Sequence, residues 1–216
     1  MNSKLTKLAQ AVALGLAITF TLNACDKGGD GKLLECIADE NGKCTMKFEY
    51  DKQNRIVKIN DDKITYADNL VTVGTKKYVI NGNTVTVDGE QSYIIDKDGY
   101  IVNICGDEEC TSLTYKDGKL IESQSAGGDY KSIYSYDDKK SPFSNSNTPK
   151  WVIQLSMDYY DYGIASKNNL LTNNWTEGGS KGEWTYKYEY DSDGFPTKKK
   201  SVNGNEEKTI ASYTYH

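Results

Sequence analysis

Side chains able to carry chemistry are unevenly supplied in these 216 residues. There is one histidine, His216, at the end of the chain. A Ser-His-Asp or Cys-His arrangement, or a histidine zinc site, would have to be built on a position where chains commonly fray. Carboxylates are plentiful, and two at a fixed separation are all that a glycosidase needs. Those that stand out lie in turns, however, so no pair is selected. Asp96-Lys97-Asp98-Gly99 and Asp191-Ser192-Asp193-Gly194 open like calcium loops. An EF-hand places its Gly at the sixth position and a Glu at the twelfth. Gly at the fourth position supplies instead the left-handed residue of a hairpin turn. The expectation is no catalytic residue, no metal and no cofactor.

Five cysteines are present, and Cys36, Cys44, Cys105 and Cys110 form an even set. In an exported domain such a set points to disulfides, with three possible connectivities. In Cys105-Gly106-Asp107-Glu108-Glu109-Cys110, a two-residue hairpin loop would make the two cysteines a directly opposed pair. Opposed alpha carbons of that kind lie about 4.5 Å apart, within bridging range. Local bridges Cys36–Cys44 and Cys105–Cys110 are therefore expected, and a four-thiolate metal site is the disfavoured rival.

The fifth cysteine belongs to an export signal. Residues 1–7 carry Lys4 and Lys7 without an acid, and residues 8–22 form an uncharged, largely apolar run. The run is shorter than the 20 or so residues of a spanning helix. Leu22-Asn23-Ala24-Cys25 then resembles the lipobox of bacterial lipoproteins, although Asn23 is larger than the usual residue there. The resemblance implies cleavage before Cys25, acylation of that cysteine and attachment to a membrane of the cell envelope. Residues 25–32, rich in Gly and charge, read as a flexible tether reaching about 20–25 Å when stretched. Asp26 resembles the inner-membrane retention signal of some bacteria, and which membrane and leaflet are meant stays open.

Loss of residues 1–24 removes two lysines and no acid, moving the net charge from -5 to -7. Such a domain does not attract nucleic acid. Tyr outnumbers Phe by 17 to 4, and a buried Tyr needs a partner for its hydroxyl. Loose repeats pair a strand, a turn with Asp, Gly or Asn, and a second strand. Phe48-Glu49-Tyr50-Asp51 leading to Ile56-Val57-Lys58-Ile59 is one, and Tyr93-Ile94-Ile95-Asp96 leading to Ile101-Val102-Asn103-Ile104 another. Residues 113–121 and 186–195 repeat the pattern, and Asn81-Gly82 is a type I′ turn signal. The fold class is all-β: an antiparallel β-meander of successive hairpins, an extended sheet or roll over residues 33–216 as one domain. At most one or two short helices are expected, within about residues 150–170. Trp184, Tyr186, Tyr188 and Tyr190 alternate and share one face of a strand, which is expected to be the core face.

The Tyr-x-Tyr-Asp-x-x-Gly units look like YD repeats of the RHS type. With Tyr136-Asp137-Asp138-Lys139-Lys140-Ser141-Pro142-Phe143 and Tyr188-Glu189-Tyr190-Asp191-Ser192-Asp193-Gly194-Phe195-Pro196, the chain resembles an uncharacterised family of bacterial YD-repeat-like lipoproteins. The resemblance spans about residues 44–216. It implies an extended β-meander on the envelope and no activity.

The repeat lapses over about residues 137–175, an insertion where Trp151, Tyr159, Tyr160, Tyr162 and Trp175 crowd together. Residues 151–157 fit a strand or a short helix equally. Loops on a rigid scaffold carry recognition, and flat rings hold a sugar face or an apolar side chain at little entropic cost. These five are the expected ligand-binding residues of a non-catalytic envelope scaffold that binds a glycan, a peptide or an envelope protein. A structural protein pairing through an edge strand is the alternative, and a carboxylate hydrolase stands third.

Overall fold

The computed structural model describes residues 31–87, 91–106, 109–157 and 162–216. The export signal, Cys25, Tyr159 and Tyr160 lie outside these, as does the side chain of Tyr162. Twelve strands precede the insertion: β1 Leu34–Ala38, β2 Cys44–Tyr50, β3 Ile56–Ile59, β4 Asp62–Ala67, β5 Leu70–Val73, β6 Lys76–Asn81, β7 Thr84–Val87, β8 Gln91–Ile95, β9 Ile101–Cys105, β10 Cys110–Lys116, β11 Lys119–Ser125 and β12 Tyr130–Tyr136. The insertion holds one helix, α1 Lys150–Ser156, and a 3₁₀ turn, Tyr162–Ala165. Four longer strands follow: β13 Leu170–Glu177, β14 Ser180–Tyr190, β15 Pro196–Asn203 and β16 Glu206–Tyr215.

Each strand pairs antiparallel with its neighbours in sequence, as the hairpin repeats require, but the sheet is neither open nor a roll. β1 pairs with β16 from Leu34↔Tyr215 to Ala38↔Ser212, closing a barrel of sixteen strands. Leu33 and His216 extend that seam by exchanging two backbone hydrogen bonds of 3.0 Å, so the chain end expected to fray is paired. Closure satisfies the backbone groups of the two strands that an open meander would leave bare. Residues 206–211 of β16 run on past this seam, and along that length the edge on the β1 side has no strand partner.

Apolar side chains point inward. Phe48, Ile56, Ile64, Val71, Tyr78, Val85, Tyr93, Ile104, Leu113 and Leu120 form one core cluster around β2 to β11. Because a sixteen-strand ring is too wide for its own side chains to fill, the insertion supplies the remainder. Phe143 meets Phe48 edge-on at 5.5 Å, Trp151 lies 5.9 Å from Tyr78, and Val152 and Ile153 are 1% exposed. This demand for apolar volume resolves the ambiguity of residues 151–157 in favour of a helix, which buries four consecutive residues from Trp151 to Gln154.

The turns alternate between two ends, and the insertion plugs one of them. Its backbone N–H groups donate to turn carbonyls: Asn147 to Asn54, Trp151 to Gly99, Lys167 to Gly118 and Lys140 to Gly194. Buried Gln154 adds two bonds, accepting from the Ile101 N–H and donating to the Tyr115 hydroxyl. Four Asp residues at this end share one geometry. One carboxylate oxygen of Asp51, Asp96 and Asp191 accepts the N–H groups two and four residues on, while that of Asp137 accepts those of Lys139 and Asn169. Gly99 (φ 81°) and Gly194 (φ 83°) take the left-handed position. The Asp-x-Asp-Gly segments are thus hydrogen-bonded turns, and no metal-binding cluster of acids occurs among the described residues.

Both expected disulfides form at the opposite end, the mouth. Cys36–Cys44 closes the β1–β2 turn, and Cys105–Cys110 joins directly opposed residues 4.2 Å apart at the alpha carbons. Hairpins at the plugged end are held together by the insertion, whereas at the mouth two are stapled covalently.

Candidate binding face at the barrel mouth

The outer wall is polar. Ion pairs link strands there: Lys187–Glu207 at 2.5 Å reaches over β15 from β14 to β16, while Lys58–Glu49 at 3.2 Å, Lys131–Glu122 at 2.9 Å and Glu189 with both Lys198 and Lys200 join neighbouring strands. The two lysines hold the Glu189 carboxyl down at about 2. Val79, Ile133 and Ile210 are exposed but are scattered over separate strands. No described helix is long and apolar enough to cross a membrane. The first twelve strands run four to seven residues, against the 9–11 or so of a membrane-spanning strand.

The inner wall changes character from one side to the other. Across β11 to β15 it becomes hydroxylic and aromatic. Buried Ser123 and Ser132 meet Tyr134 and Tyr130 at 2.8 and 2.9 Å. Tyr190 donates to Asp137, and burial followed by that carboxylate pushes its phenol well above the ordinary range. Lys199 lies 4.2 Å over the ring of Tyr186. Between the insertion and β14 to β16, a narrow cleft open to solvent is lined by Asn168, Asn169, Leu170, Tyr188, Lys199 and Tyr213 among others.

Toward the mouth this wall carries two indoles. Strand register sets Tyr134 opposite Asn173 and Asn173 opposite Trp184, then Ser132 opposite Trp175 and Trp175 opposite Gly182. All therefore share the face of Tyr186 and Tyr188. A Cβ on Gly182 would stand 2.6 Å from the Trp175 ring, so that ring lies across β14 on bare backbone. Trp184, 56% exposed, is the most exposed large hydrophobic side chain among the described residues. Its exposure follows from strand lengths. β14 runs on from Trp184 to Ser180 beyond its last pair with β15, and β16 runs on through residues 206–211 beyond its last pair with β1. Six residues of strand amount to about 20 Å. Opposite Trp184, the side-chain oxygen of Asn173 is buried and has no hydrogen-bond partner.

The expected binding residues are thus separated. Trp151 is 4% exposed and belongs to the core, not to a binding surface. Trp175 lies on β13 rather than in the insertion, which ends before Leu170. Tyr159, Tyr160 and Tyr162 contribute no described side chain. Trp184, read from its alternation as a core residue, is exposed. A trace of this was legible, because folding the sequence about Gly178-Gly179 sets Trp175 against Gly182 with Trp184 beside it.

No family model and no curated protein matches this chain. Solved structures do. A porin-like protein from Bacteroides vulgatus ATCC 8482 superposes with a TM-score of 0.57 at 13% identity, covering 86% of this chain and 99% of that one. A porin-like protein from Bacteroides uniformis ATCC 8492 gives 0.51 at 17% identity, covering 79% and 90%. At such identities the likeness establishes one thing, that this chain has the closed β-barrel fold of the porin-like proteins.

Proposed function

We propose that this chain is a lipid-tethered, water-facing β-barrel of the bacterial envelope that serves recognition rather than catalysis. The observation that carries the reading is the sidedness of the wall: apolar residues inside, ion-paired residues outside. A spanning barrel has the reverse, an outward apolar band about 25 Å tall, and each Lys at the bilayer midplane would cost about 2–4 kcal/mol. The lipobox-like Leu22-Asn23-Ala24-Cys25 supplies a membrane attachment that the wall does not, and the repeated Asp turns agree with the YD-repeat resemblance.

Orientation follows from where the chain enters the barrel. Lys32 precedes β1 at the plugged end, where it pairs with Asp191 at 2.8 Å and Asp193 at 2.6 Å. A tether running back to Cys25 would therefore set the plugged end toward the bilayer and the mouth away from it. The porin-like neighbours favour a second reading, a barrel inserted in lipid. Detergent phase partition of the wild type and Cys25→Ser separates the two. The wild type should enter the detergent phase and Cys25→Ser, with its signal removed, the aqueous phase. If processed Cys25→Ser stays with detergent, the barrel itself is lipid-facing.

A further inference from the structure

We infer that the inner face at the mouth is a carbohydrate-binding platform for a neutral glycan chain, with Trp175 and Trp184 as the rings that meet the sugar faces. The inference deepens the water-facing reading by naming the ligand class, and it rests on that reading. A sugar ring has an apolar face of C–H groups and a rim of hydroxyls, so its site needs flat rings interleaved with donors and acceptors. The mouth offers that alternation. Trp175 packs against the bare backbone of Gly182, and Trp184 stands exposed on the same face. Asn173, directly opposite Trp184 and two residues from Trp175 on β13, holds a buried acceptor oxygen with no partner.

The same alternation disfavours a protein partner. A protein interface wants a dry apolar centre within about 800 Å² per partner. Here each indole is flanked by amide, hydroxyl or backbone, and on the side of β15 the strand ends at Asn203, opposite Glu206. Charge selects among glycans. Exposed Glu177, Glu183, Glu206 and Glu207 stand beside exposed Lys181, Lys187 and Lys208 on these hairpins, so the selection rests on the whole domain, whose net charge of -7 without residues 1–24 opposes a polyanionic chain and leaves a neutral one unaffected.

The test is affinity electrophoresis of the full-length protein, in mild non-ionic detergent, through native gels holding soluble glucan, mannan, xylan or polygalacturonate. Retardation is expected in at least one neutral gel and not in polygalacturonate. Trp184→Ala should weaken it about tenfold or more, as loss of an interfacial anchor ring does, with an unchanged melting temperature. Trp184→Tyr, which keeps a ring, should retain most of it, and Trp175→Ala should weaken it as well. Mobility unchanged by all three neutral glycans overturns the platform. So does retardation confined to polygalacturonate, or binding that survives both alanine variants. A dimer in sedimentation velocity that Trp184→Ala dissociates would make a second copy the occupant and overturn the glycan. Phase partition of Cys25→Ser reads a different property, so glycan binding by a lipid-facing barrel would sink the water-facing reading alone.

Discussion

Trp151→Ala tests whether the insertion is a structural plug or a recognition element. The indole is 4% exposed, lies 5.9 Å from Tyr78 and neighbours Val152 and Ile153 in the core cluster. A buried aromatic side chain of this size removes about 150–250 Å² from water, which at about 25 cal/mol per Å² is about 4–6 kcal/mol. Partial collapse of the site reduces this toward the 3–5 kcal/mol or so measured for such truncations. Domain stability is about 5–15 kcal/mol, so the variant loses a large share of it. For a chain of this size each kcal/mol moves the midpoint by about 2–4 °C, and the melting temperature should fall by about 6–20 °C. The assay is thermal and urea unfolding followed by circular dichroism. Trp184→Ala serves as the exposed control, expected within about 0.5 kcal/mol of wild type. A loss below about 1 kcal/mol for Trp151→Ala, with an unchanged urea slope, would refute the plug and return Trp151 to the candidates for binding.

Two further outcomes are expected. Burial raises the Tyr66 phenol to about 12, its hydroxyl donating to the Ile56 carbonyl at 2.7 Å. The folded state thus keeps a proton that the unfolded state loses near pH 10. The contribution is complete below pH 10 and disappears as pH rises through about 12. Urea titrations at pH 8, 10 and 11 should show wild type losing more stability over this range than Tyr66→Phe; equal losses would mean that Tyr66 does not couple folding to protons. Replacing either Cys105 and Cys110 or Cys36 and Cys44 by Ser should lower stability by about 2–3 kcal/mol, the chain-entropy value for short loops. Peptide mapping without reduction that joined Cys36 to Cys105 or Cys110 would contradict both bridges.

Features that depend on neighbours along the chain are legible in the residues alone. Antiparallel hairpins, the Asp turns and the pairing of Cys105 with Cys110 are all local. Each is dictated by alternation, by turn chemistry or by a separation of a few residues. Three matters were settled only in three dimensions. Closure joins Leu34 to Tyr215, and nothing at either position announces a partner at the far end of the chain. The insertion looked like a loop rich in exposed rings, yet a ring of sixteen strands leaves a volume that Phe143, Trp151, Val152 and Ile153 fill. Exposure at the mouth depends on relative strand lengths, because Trp184 obeys the same alternation as Tyr186 and Tyr188 but stands just past the last pair of β14 with β15, Thr185↔Val202. Alternation tells which face a side chain takes; only the assembled barrel tells whether another wall stands opposite.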